Sequence, residues 1–179
     1  KKIIITSAHS NKTDTFNSLS NYYSHPYFPI NFIELNKSFD FLEFDDVVAQ
    51  FKNLKIRSIN LNHPGKCSGY SLVEGDKKFC YLLDNEYEDS QKLELIKFCN
   101  NSDTIIWDGM FLNEELPYKK GWGHSSIEQG IDFANQIKVK NFLISHHAPS
   151  REDDEIDKMQ NQFSSNNLKF ASENEVIEF

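Results

Sequence analysis

Three residues able to bind a metal stand just past apolar runs: His63 in Asn62-His63-Pro64-Gly65, Asp84 in Leu82-Leu83-Asp84-Asn85-Glu86, and His146 in Ile144-Ser145-His146-His147. Neutral imidazole and carboxylate are donors for zinc, and imidazole also suits iron. A metal held this way lowers the pKa of water to about 7, and a carboxylate shared by two metals about 3.5–4 Å apart sets up in-line attack on a phosphoester. A second pair, Asp108 at the end of Thr104–Trp107 and His124 in Gly121-Trp122-Gly123-His124-Ser125, has the types for proton transfer. A carboxylate there fixes the tautomer of a histidine that protonates a leaving oxygen.

Each residue also has a plain structural explanation. His63 before Pro-Gly can end a strand, Asp84-Asn85 can make a turn, and His146-His147 can hydrogen-bond a loop. Asp108 can cap a turn while His124 packs beside Trp122, and spacing leaves both explanations of that pair open. The joint placement of three ligand types on strand ends is what favours a metal site. Glu86 either orients a ligand histidine or is a surface charge. His9 and His25 have no ligand-like neighbours and read as structural.

The elements that must position these residues follow from periodicity. Residues 57, 59, 61 and 63 share one face of a strand over Ile56–Asn62, so Ile59 and Leu61 lead to His63. Glu74-Gly75-Asp76 reads as a hairpin turn, and on the strand after it Cys80, Leu82 and Asp84 point the same way. Thr104–Trp107 is a continuous apolar strand ending at Asp108, and Phe142 and Ile144 share a face with His146. Ser90 can cap a helix over Gln91–Cys99. Ser125-Ser126-Ile127-Glu128 has the S-x-x-E form of a capping box, ahead of an apolar stripe at Ile127, Ile131, Ala134 and Ile137. Earlier in the chain, Ile3–Thr6 reads as a strand and Thr13–Tyr23 as a helix capped by Thr13 or Asp14. Pro26 and Pro29 suggest extended backbone over Tyr27–Leu35, and short strands are expected over Phe39–Phe44 and Val47–Phe51. A polar helix over 152–164 and an edge strand over Val176–Phe179 complete the pattern. Strands in a run and then alternating with helices predict a mixed α/β (α+β) layered structure. His63, Asp84 and His146 then fall at the carboxyl ends of strands, where ligand sites collect.

With 179 residues, one domain over 1–179 with a sizeable core is the expectation. The net charge of −8 argues against a broad non-specific nucleic-acid surface, though not against a small phosphate-containing substrate. Cys67, Cys80 and Cys99 are odd in number and lack C-x-x-C spacing, so neither a disulfide scaffold nor a thiolate zinc site is indicated. No apolar run approaches the roughly 20 residues of a membrane span, and no basic-then-apolar leader precedes the first strand. A cytoplasmic protein without a membrane partner is expected.

Taken in order, the segments resemble the metallo-β-lactamase-fold hydrolases, and more closely the branch of ribonuclease Z and the cyclic-phosphate or cyclic-nucleotide phosphodiesterases. The resemblance runs through Pro26-Tyr27-Phe28-Pro29, Leu61-Asn62-His63-Pro64-Gly65, Gly69-Tyr70, Leu83-Asp84-Asn85-Glu86, Ser102-Asp103 to Asp108, Gly121 to Ser125, and His146-His147-Ala148-Pro149. It implies His63 and His146 as metal ligands, Asp84 as a carboxylate bridging two metals, and His124 as proton donor with Asp108 as its partner. It also implies an αβ/βα sandwich, zinc (with manganese or iron as alternatives) and a small-molecule or nucleotide phosphodiester substrate. The family's first metal motif, His-x-His-x-Asp-His, has no counterpart. Its nearest match, Ser7-Ala8-His9-Ser10-Asn11-Lys12, keeps one ligand type of four, and Phe111 and Ala148 stand where Tyr and Asp are frequent. The expectation is therefore a fold incomplete at its N-terminal side. Apolar surface would be exposed around Ile3–Ile5 and Phe28–Phe32, leading to self-association or a partner chain. Two functions follow: a metal-dependent phosphodiesterase-type hydrolase that this chain alone does not complete, or a non-catalytic domain acting through protein contacts.

Overall fold

The structure, a computed structural model describing residues 2–137 and 139–177, separates Lys1–Asn53 from Leu54–Phe179 as two units. In the first, β1 (Ile3–Ile5), α1 (Lys12–Tyr22), α2 (Phe32–Leu35), β2 (Phe39–Phe41) and α3 (Phe44–Val48) follow in order. β1 and β2 pair in parallel. Phe32, 5% exposed, packs among the rings of Phe16, Tyr23, Phe39 and Phe41. Ile3 and Ile4 are 61% and 45% exposed, so the expected apolar exposure holds at β1 but not at Phe32.

Local rules explain where this unit departs from the sequence expectations. The N-cap of α1 is Asn11, whose side chain accepts the Asp14 N–H at 2.9 Å, two residues ahead of Thr13, the nearer of the two expected caps. Tyr27–Leu35 is not extended throughout. Proline restrains only itself and its predecessor, and past Pro29 the Asn31 carbonyl accepts the Glu34 N–H as α2 starts. Val47 and Val48 close a helix instead of opening a strand, because Glu43 accepts the Val47 N–H and Asp45 and Asp46 sit in the first turn, where acidic residues suit the helix dipole.

The second unit holds β3 (Leu54–Leu61), β4 (Cys67–Glu74), β5 (Lys77–Leu82), α4 (Lys92–Cys99), β6 (Thr104–Asp108), α5 (Leu116–Lys119), α6 (Ile127–Ile137), β7 (Asn141–Ser145), α7 (Asp153–Phe163) and β8 (Leu168–Phe170). The strands form one sheet in sequence order. β3, β4 and β5 are antiparallel neighbours, joined at the second step by a tight turn in which Gly75 supplies the positive φ. From β5 to β8 every pairing is parallel. Both β3 and β5 oppose β4, so β3, β5, β6 and β7 run the same way and their carboxyl ends share one edge of the sheet.

Alternate residues of these strands, Ile59 and Leu61, Cys80 and Leu82, Ile105 and Trp107, Phe142 and Ile144, build a core with Leu95 and Cys99 of α4 and Ile127, Phe133 and Ala134 of α6. Trp107 stacks on Phe133 with centroids 5.0 Å apart and donates its indole N–H to the Ser126 carbonyl at 3.1 Å. Burial of each such large side chain contributes roughly 1.5–3 kcal/mol.

Two helix starts and one strand shift from expectation. A Glu88–Gln91 capping box and a short 3-10 turn, not Ser90, lead into α4. The box opening α6 is Ser126–Gln129, each side chain accepting the other's backbone N–H at 3.0 Å. Ser125 is drawn elsewhere, donating its hydroxyl to the Asn85 carbonyl. The edge strand beside β7 is β8, whose Phe170 is buried; Val176 and Ile177 are irregular, and residues 178 and 179 of the expected strand lie outside the described residues. Among the described residues no helix is long and apolar enough to cross a membrane.

Candidate active site

His63 follows β3, Asp84 follows β5, Asp108 ends β6 and His146 follows β7, so the shared carboxyl edge brings four of the five sequence-predicted residues together. His124, on the approach to α6, joins them: its ring centroid lies 5.6 Å from that of His63 and 4.8 Å from that of His146. Asp84 (φ 57°) and His146 (φ 61°) both adopt left-handed backbone, which costs a residue with a Cβ roughly 1–2 kcal/mol. Two such residues at one site indicate that side-chain aim there outweighs local comfort.

Asp108 is fully buried. Its Oδ2 accepts the N–H groups of Asp84 and Asn85 at 3.0 and 3.3 Å and faces Nδ1 of His124 at 2.9 Å and of His146 at 3.2 Å. Its Oδ1 takes the Met110 N–H at 3.2 Å. Burial pushes this carboxyl up, but hydrogen bonds and charge from His124 and His146 outweigh it and leave the pKa below the ordinary carboxylate value. The same bond to Asp108 raises His146 above the usual imidazole value, against a smaller desolvation effect. With Nδ1 turned to Asp108, both rings leave Nε2 free for other work. His147 turns away and stacks on Phe170; burial lowers its pKa.

The Asp84 carboxylate is the counterpart of Asp108. Among the described residues it accepts no hydrogen bond, and its Oδ1 lies 3.9 Å from Nε2 of His63 and 3.9 Å from Nε2 of His146. That is too far for hydrogen bonds, yet within the span of two metal–ligand bonds of about 2.0–2.2 Å each. Donor atoms cluster within 4.8 Å in two groups that share His124: His63, Asp84 and His124, and Asp108, His124 and His146. An oxygen already facing four donors has no lone pair left for an ion, so the second group is a hydrogen-bonded one. His63 and His146 each approach Asp84 at 3.9 Å and match it as ligands by type, three protein donors being the usual number for a catalytic zinc site, while the tightest group around Asp84 is with His63 and His124. His63 carries one condition: its Nδ1 accepts the Gly65 N–H at 3.2 Å. Offering Nε2 to an ion means moving the ring proton to Nδ1 and giving up that bond.

Among the described residues Glu86 makes no hydrogen bond to a histidine. Its carboxylate accepts the Gly121 N–H at 2.8 Å and the Gly123 N–H at 3.0 Å, pinning the loop that delivers His124. Gly121 and Gly123 have φ of 82° and 88°, and a Cβ on Gly123 would meet His63 Cδ2 at 2.2 Å. Beyond Glu86, Ser125 also escaped sequence reading: its Oγ accepts the Tyr87 N–H at 3.2 Å while donating to Asn85. The paired positive-φ glycines before His124 were the available signal for this clamp.

Residues 2–147 match the family described as the beta-lactamase superfamily domain. None of the curated proteins matches the chain. Among solved structures, human tRNase Z, short form, is 20% identical with a TM-score of 0.56, covering 72% of this chain and 44% of its own. A diphosphatase from the PhnP family is 12% identical with a TM-score of 0.64, covering 100% of this chain and 59% of its own. Zn(2+)-bound PqqB from Methylobacterium extorquens is 9% identical with a TM-score of 0.60, covering 96% of this chain and 63% of its own. The chain spans 44–63% of the length of these proteins, and at such identities the likeness is one of fold.

Proposed function

This chain belongs to the β-lactamase superfamily and has the metallo-β-lactamase fold, and from that premise we propose that it is a metal-dependent hydrolase of phosphodiester-type bonds. The observation that carries the reading is Asp84: a carboxylate without a hydrogen-bond partner among the described residues, equidistant from the free nitrogens of His63 and His146. In this reading His63, Asp84 and His146 hold the ion, zinc in the first instance and manganese or iron as alternatives. When bound, the ion supplies Lewis acidity and acidifies a water to about pKa 7. Asp108 orients His124 and His146 through their Nδ1 atoms. His124, carrying its second proton, donates from Nε2 to the leaving oxygen. The phosphodiester class draws support from the names of the tRNase Z and diphosphatase relatives, and zinc from that of PqqB.

The test is zinc content by mass spectrometry together with hydrolysis of bis(p-nitrophenyl) phosphate. Wild-type protein should retain zinc and turn over, and Asp84→Ala should lose both. A folded protein that retains no zinc at micromolar free metal ends the reading.

One observation favours the second reading, a non-catalytic domain that acts through protein contacts: the donors that converge suffice for one ion, and His63 must first release Gly65. Full zinc occupancy without hydrolysis of any phosphodiester would select it. Self-association or pairing with another chain through exposed Ile3 and Ile4 belongs to either reading, and sedimentation at high concentration checks it, a monodisperse monomer counting against it. A cytoplasmic setting is proposed with the three free cysteines in support.

A further inference from the structure

A cavity of about 370 Å³ opens beside His124, walled by Leu116 and Pro117 on α5, by Lys119 and Lys120 at its end, and by Glu86. Its charges are unusual for a chain of net charge −8. Among the described residues neither Lys119 nor Lys120 has a carboxylate within ion-pair distance. Two acids of the neighbouring segments are engaged elsewhere: Glu86 by the Gly121 and Gly123 amides, Glu115 by Arg151 and the Leu112 N–H. Lys119 does not range freely. Its ammonium stands 4.1 Å from the ring centroid of Trp122 and 5.7 Å from that of Phe111, a cation–π arrangement that positions the charge while leaving its donors available. Trp122 itself is 57% exposed.

We infer that this cavity is an anion subsite that takes a phosphate group carried on the leaving portion of the substrate. The inference rests on the reading of His124 as proton donor and deepens it. His124 lines the cavity on one side and stands against His63 and His146 on the other, so a leaving oxygen protonated by His124 belongs to a group that extends toward Lys119 and Lys120. Two ammonium groups without an ion-pair partner among the described residues outnumber the one carboxylate of the lining, Glu86, and attract an anion there. The apolar wall of Leu116 and Pro117 accommodates the carbon skeleton between the two phosphates, and the amides of Gly121 and Gly123 hold the Glu86 carboxylate in place. A substrate whose leaving portion is uncharged forgoes this attraction.

The indole N–H of Trp122 is a local reporter, since the chain's other tryptophan, Trp107, is buried. Phenyl phosphate added to the wild-type chain should shift the Trp122 indole resonance, phenol should not, and the shift should weaken with added salt. Lys119→Gln and Lys120→Gln should each weaken phenyl phosphate binding roughly three- to tenfold. In turnover, the same substitutions should raise KM for a phosphodiester whose leaving alcohol bears a second phosphate and leave bis(p-nitrophenyl) phosphate unaffected. Binding that is the same in both lysine variants as in wild type overturns the subsite, whatever the turnover. Lysine-dependent binding in a protein that hydrolyses neither phosphodiester upholds the subsite and overturns the hydrolase reading instead.

Discussion

Strand β6 starts just after one buried aspartate and ends on another, and the two ends of this strand are put to different uses. Asp103, 5% exposed, accepts the Lys78 N–H at 2.9 Å and the Lys140 ammonium, while its backbone bonds Lys78 and Asn141 of the neighbouring strands. Its partners are peptide groups and a lysine, none of which changes charge near neutral pH. Asp108 at the other end also gathers backbone amides, but two of its partners are imidazoles, each with a second nitrogen left over. A buried carboxylate by itself therefore marks nothing. What distinguishes the functional edge is that its carboxylate holds titratable groups at the carboxyl ends of parallel strands, where side chains from several strands converge.

The largest expected contrast comes from removing each carboxylate. Asp108→Ala strands three amides and two histidines, and should cost about 3–5 kcal/mol in urea denaturation and abolish turnover. Asp103→Ala should cost about 1–2 kcal/mol and leave zinc content and turnover alone. Equal effects on turnover would erase the distinction between the two ends.

His124→Ala isolates the proton-transfer part of the Asp108 end. It should lower turnover by roughly 10²–10⁴ with zinc content intact; unchanged turnover removes His124 from the mechanism. Glu86→Ala should act through the loop: faster hydrogen exchange at Gly121 and Gly123, and turnover lower by about tenfold. Faster exchange with full turnover would show that the loop does not set His124.

The smallest effect is one of pH, at the other end of the strand. Lys140 and the Lys78 amide hold the Asp103 carboxyl below its ordinary value. A depressed carboxylate pKa contributes stability that is present above about pH 3.9, the unfolded value, and lost as pH falls through the folded one. Wild-type protein should therefore lose stability more steeply than Asp103→Asn below about pH 4. Parallel curves would mean that the Lys140 pair, with its lysine largely exposed, contributes nothing measurable.

The sheet was largely legible in the sequence. Alternation placed Ile59, Leu61 and His63, and Cys80, Leu82 and Asp84, on common faces, and the structure buries the apolar members while delivering the polar ones to one edge. Helix starts were less legible. Ser125-x-x-Glu128 and Ser126-x-x-Gln129 are equally good capping boxes by spacing, and the choice between them depends on Asn85, whose carbonyl claims the Ser125 hydroxyl from 40 residues away. The small first unit misled most, because a proline or a pair of valines biases the backbone only weakly and the aromatic cluster around Phe32 decides what those segments do.

By itself the sequence determined the residue types, their parity on strands and their position at strand ends, since those follow from a backbone period of two and from where apolar runs stop. Only the tertiary structure decided the partners: that Asp108 holds His146 as well as His124, that the Asp84 carboxylate stands between two imidazoles with no hydrogen bond to it among the described residues, and that Glu86 pins the loop before His124. Those pairs lie 16 to 62 residues apart. Which of them meet depends on the order and direction in which strands pair, and local propensity carries no record of that order.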